Sequence, residues 1–191
     1  MSKSKKVLRT VLVAGVLGAL AALATFSAFS AQTDNPGNTV TAGTVAIDDN
    51  DGGTAAYTMS NAKPGQASTP FCIRVRYTGS LDADVKLYTP DTIGSLGQYV
   101  NLQVESGTQA TPNTNCSGFT SDGTLFNNTL NNLPTSYASG VLDSGPGSAT
   151  KWVNGDIVVY RVTATLSSSA PDSAQGLTTG SHALRFEARN Q

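Results

Sequence analysis

Phe71-Cys72-Ile73-Arg74-Val75-Arg76-Tyr77 decides the fold class. Phe71, Ile73, Val75 and Tyr77 recur at period two, and Arg74 and Arg76 take the opposite face, the pattern of a half-buried β-strand. The same alternation extends outward along the chain. Val40 and Ala42, then Val45 and Ile47, predict an early strand with a bulge at Gly43. A further strand is expected around Ala55–Met59. Val85 and Leu87, then Val100, Leu102 and Val104, give two more, Ile157–Leu166 is the longest run, and Ala183–Ala188 closes the chain. Asp48–Gly53, Lys63-Pro64-Gly65, Thr78-Gly79-Ser80, Ser144–Gly147 and Asn154-Gly155 supply turn chemistry between them. Residues 106–150 are rich in Asn, Thr, Gly and Ser, with Phe119, Leu125, Phe126 and Leu130 as the only large anchors, and no strand is assigned there. The expectation is one antiparallel β-sandwich over residues 31–191, with roughly seven to nine short strands.

Composition agrees. Only 13% of the 191 residues are charged and 19 are glycine, which fits an all-β exported domain better than a helical or disordered chain. The formal charge of −1 hides an asymmetry, because four of the twelve basic residues are Lys3, Lys5, Lys6 and Arg9. Without them eight basic side chains face thirteen acidic ones, which argues against nucleic acid as a partner.

Residues 1–30 have the parts of a helical secretory signal peptide: the basic start, the apolar run Val11–Ala24, and small residues Ser27, Ala28, Ser30 and Ala31 around the cut. Cleavage after Ser27 or after Ser30 satisfies the small-residue rule, so the mature chain is expected to begin between Ala28 and Gln32. The alternative is a retained anchor, since Thr10–Ala31 carries no charge and 22 residues of helix span about 30 Å of hydrocarbon. Export makes a Cys72–Cys116 disulfide the expected state of the two cysteines, the alternative being two buried thiols.

Three blocks carry a resemblance. The first is Thr25-Phe26-Ser27-Ala28-Phe29-Ser30 followed by Asn38-Thr39-Val40-Thr41-Ala42-Gly43-Thr44-Val45. The second is Ser60-Asn61-Ala62-Lys63-Pro64-Gly65-Gln66 with the later turn Thr78-Gly79-Ser80-Leu81. The third is Ala174-Gln175-Gly176 with Leu184-Arg185-Phe186-Glu187-Ala188-Arg189-Asn190-Gln191. In this order they resemble the TasA/camelysin family, exported bacterial proteins with a SipW-type signal. Ala31 and Val40 depart from that family's usual acid and Phe. The resemblance implies a jelly-roll β-sandwich, secreted to the cell surface or extracellular space. It also implies a biofilm matrix fibre subunit whose N-terminal segment adds a strand to the next copy, with Val40, Val45 and Ile47 as the assembly strand. Camelysin's description as a metalloendopeptidase attaches an enzymatic alternative.

Catalytic chemistry finds little to build on. A zinc hydrolase of the H-E-x-x-H kind needs two histidines, and His182 is the only one, read as a solvated or turn residue. No G-x-S-x-G elbow occurs, and Glu105 and Glu187 are the only glutamates. The balance is against an enzyme, with no catalytic residue and no cofactor assigned. Asp48, Asp49, Asn50 and Asp51 form a short run of hard oxygen ligands that suits calcium, but the run lacks the distal glutamate of an EF-hand and reads first as a turn. Asn127-Asn128-Thr129 fits the N-glycosylation pattern. Trp152 with Tyr57, Tyr77, Tyr88, Tyr99, Tyr137 and Tyr160 offers a glycan-platform reading against ordinary packing. The leading expectation is a secreted, self-associating fibre subunit without stable membrane insertion after cleavage. The alternatives are a camelysin-like peptidase and a calcium- or glycan-binding adhesion module.

Overall fold

The computed structural model describes residues 39–147 and 149–190. The expected signal peptide and its cleavage region (Ser27, Ala28, Ser30, Ala31) lie outside the described residues. No helix among the described residues is long and apolar enough to cross a membrane.

Among the described residues eight strands run β1 (Ile47–Asp49), β2 (Phe71–Tyr77), β3 (Asp84–Tyr88), β4 (Val100–Gln109), β5 (Phe119–Thr129), β6 (Val141–Asp143), β7 (Ile157–Leu166) and β8 (Arg185–Arg189). They form a five-stranded sheet ordered β1-β2-β7-β4-β5 and a three-stranded sheet ordered β6-β3-β8. Every pairing is antiparallel, as expected of the class. Apolar residues from both sheets share one core: Val75 and Tyr77 of β2, Leu102 and Val104 of β4 and Val162 of β7 meet Val85 and Leu87 of β3. Tyr160 of β7 stacks on Phe186 of β8 with ring centroids 4.2 Å apart, so the two inner faces interlock.

The strongly alternating segments became strands where expected. Phe71–Tyr77 and Ile157–Leu166 match the element bounds, and β7 is the centre of the large sheet, held by β2 on one side and β4 on the other. Three expectations are corrected. Ala55–Met59 is not a strand: Ala56, Tyr57 and Met59 pack on the core from an irregular loop. The early strand does not run from Val40: Val40 is fully exposed and only Ile47–Asp49 join the sheet. Thr44 and Ala46 do accept backbone hydrogen bonds from Ser80 and Thr78, but the Thr44 amide donates to the Ser80 hydroxyl, so a side chain takes the place of a ladder bond. The third correction is β5, eleven residues, with the three-residue β6, both within the stretch to which no strand was assigned.

β5 forms a hairpin with β4 whose register skips Leu125 and Asp122, the mark of bulges on β5. Its turn is pinned by the Cys72–Cys116 disulfide, with Cα atoms 5.1 Å apart. The Cys72 amide also donates to the Thr114 carbonyl. The bond therefore ties the far end of the β4–β5 hairpin across β7 to β2.

Candidate functional site

Three places carry the residues that the sequence brought forward: the Asp48–Gly53 turn, the loops around His182, and the edges of the sheets. In the turn, Asp48 is committed to protein cations. Its Oδ1 lies 3.0 Å from Arg74 and its Oδ2 2.6 Å from Arg76. Asn50 Oδ1 accepts the Arg74 amide, Asp49 Oδ1 the Asp51 amide, and Asp51 Oδ1 the Gly53 amide. These are the bonds of an Asx turn at the end of an edge strand. Burial, and the Asp49 carboxylate beside it, push the Asp51 carboxyl above its usual range. Among the described residues no three His, Cys, Asp or Glu side chains gather into a metal-ligating group.

His182 lies in the irregular segment just before β8 and is half-buried rather than solvated. Its Nδ1 lies 3.0 Å from the Gly180 carbonyl, which fixes the proton on Nδ1 and leaves Nε2 to accept from the Tyr57 hydroxyl. Burial raises the Tyr57 pKa well above its ordinary value, so the phenol stays a donor. The pair bridges two loops over a cavity of about 810 Å³ floored by Ile73, Val100 and Leu166. Through the Gly180 carbonyl and the Tyr57 hydroxyl the imidazole joins two loops.

The aromatic platform is overturned by burial. Trp152, Tyr77 and Tyr160 are 0% exposed. Trp152 Nε1 donates to the Asp143 carbonyl and the Tyr160 hydroxyl donates to Asp143 Oδ2 at 2.8 Å. Asp143 Oδ1 accepts the Gly145 amide. Burial raises the Asp143 pKa despite these bonds. Sequence reading did not single out this network, because one aspartate in a short strand carries no pattern.

The sheet edges differ in length. β1 and β6 are three residues each, while β5 is eleven and β8 is five. Among the described residues, β5 pairs only with β4 and β8 only with β3, so each has one unpaired side. β5 is largely exposed, and Asn127, the glycosylation candidate, accepts a hydrogen bond there from Asn101. Of the assembly-strand residues, Ile47 lies in β1, Val45 packs against the core from just before it, and Val40 stands outside both. Comparison with models of known protein families and with curated proteins finds no match for this chain.

Proposed function

We propose that this chain is a secreted structural subunit of the TasA/camelysin kind, which self-associates into fibres or a surface matrix by adding a strand to a neighbour. The observation that carries the reading is β5. An eleven-residue strand with one row of backbone donors and acceptors open is a template for another chain. The donor side is supported by Thr39–Thr41, which lie outside any strand with Val40 fully exposed. The three motif blocks supply the family reading and its jelly-roll wiring, and two packed antiparallel sheets suit it. Addition at an edge uses backbone hydrogen bonds, so the partly polar arm needs no special sequence to join.

Electron microscopy of the processed protein over time, with and without the residues up to Gly37, tests this. The full processed chain is expected to form filaments and the truncated one to stay monomeric with an unchanged thermal transition. Polymerisation of the truncated protein at the same rate, or its outright unfolding, refutes strand addition by this arm.

A further inference from the structure

The outer face of the three-stranded sheet concentrates positive charge. Phe186 points inward onto Tyr160, so Arg185, Glu187 and Arg189 take the other side of β8. On β3, Val85 and Leu87 are core, which leaves Lys86 and Tyr88 on that same outer side. Lys86 lies opposite Glu187, and Tyr88 opposite Arg185. Lys151 joins the face through its 2.6 Å ion pair with Asp84, which lies opposite Arg189. The Tyr137 ring lies 5.0 Å from Lys86 Nζ and 4.2 Å from the Arg189 guanidinium. Four of the eight basic side chains among the described residues share this face with two carboxylates, Asp84 and Glu187, while the other four face ten acidic ones.

On the large sheet the arginines are spent, Arg74 and Arg76 on Asp48 and Arg161 on Glu105. Here Lys86 and Arg185 make no salt bridge among the described residues, although Arg185 donates to the Tyr88 hydroxyl and the Glu187 and Asp91 carboxylates favour its charge. The register also puts them in a row. Lys86 stands level with Glu187, midway between Arg185 and Arg189, so the three cations follow one another at intervals of about 6–7 Å along the strand direction.

We propose that this face binds a linear acidic polysaccharide, with Arg185, Lys86 and Arg189 taking successive carboxylates. Guanidinium forks match carboxylates geometrically, and a lysine between them serves as a point charge. The acidic remainder of the molecule repels a polymer as densely charged as nucleic acid. It tolerates one whose charges are diluted by neutral sugar rings. Glu187 holds Arg189 in place through a 2.6 Å ion pair, and it also opposes an incoming carboxylate.

The test is a titration of the whole chain with polygalacturonate at low and high salt, with dextran, single-stranded DNA and anionic phospholipid vesicles as comparison arms. Polygalacturonate is expected to bind, more weakly as salt rises, and dextran not to bind. Lys86→Gln and Arg185→Gln should each weaken binding about fivefold, the scale of one exposed charge contact. Glu187→Gln should tighten it, a gain that a merely structural role does not produce. Arg76→Gln, on the other sheet, should leave it unchanged. The proposal is overturned by absent polygalacturonate binding, by tighter binding to DNA or vesicles, or by an equal loss from Arg76→Gln. It is also overturned if Lys86→Gln abolishes self-association and spares polysaccharide affinity, which assigns the face to a second copy.

Discussion

Removing the disulfide tests how the large sheet is closed. Cys72 and Cys116 are 44 residues apart, and closing a loop of that length restricts the unfolded chain by about 4 kcal/mol on the chain-entropy account. For a domain of this size that corresponds to a fall of roughly 8–16 °C in Tm. Cys72→Ala with Cys116→Ala isolates the loss of the cross-link, because Cys116 has φ of 61° and alanine meets the same left-handed backbone cost that cysteine already carries. Cys72→Ala with Cys116→Gly removes that cost as well and should recover about 1 kcal/mol if the turn geometry persists. Thermal unfolding followed by circular dichroism, with and without reductant for the parent, gives the comparison. A shift under about 2 °C in the reduced parent and in both double variants refutes the reasoning. The Thr114–Cys72 backbone bond and the β4–β5 ladder would then hold the turn unaided.

The buried polar network gives a pH prediction. Asp143 has its carboxyl raised by burial, so the folded state favours the protonated form. That contribution is fully present below the unfolded carboxylate range and is lost as pH rises through the folded pKa. The stability of the parent relative to Asp143→Asn should therefore decline from acid to neutral pH, measured as the difference in Tm; a difference flat with pH, or one growing as pH rises, contradicts it. At Gly107, opposite one of the bulges, an added Cβ would run into the Thr120 carbonyl oxygen. Gly107→Ala should cost about 2 kcal/mol or more in urea unfolding, and a loss under about 0.5 kcal/mol argues against that close approach. Trp152, the only tryptophan, is fully buried. Its emission should be blue-shifted in the native protein, and Trp152→Ala should cost about 3–5 kcal/mol; solvent-exposed emission from the native state contradicts its burial.

What was legible in the sequence follows from which strands are buried on one face. Phe71–Tyr77 carries apolar side chains inward and arginines outward, and β7 buries nearly every second residue, so both repeat at period two. β5 lies at an edge with most of its side chains in water, so hydrophobicity does not mark it. Two register skips further scramble what alternation Leu125 and Phe126 supply. Ala55–Met59 erred the other way. Its apolar residues touch the core, but they do so from a loop whose alternation mimics a strand. The basic face escaped notice because its members come from β3, β8 and the Lys151 segment, which only the register assembles. The disulfide was legible from the cysteine count together with the expectation of export, whereas the Asp143 network had no sequence signal.

The position of β7 in the chain also sets when the molecule can exist. Among the described residues, β2 and β4 are joined within the sheet only through β7, and β3 obtains its longer partnership from β8. A nascent chain that has delivered everything up to Asp156 holds the β4–β5 hairpin and the three-residue β1–β2 and β3–β6 pairings, but neither sheet is complete. Completion waits for the last 35 residues, with contacts reaching back across most of the domain. Such long-range closure is slow to nucleate. The segment up to Asp156 can thus stay incompletely folded through most of the domain's synthesis, and the two sheets close only once β7 and β8 have followed.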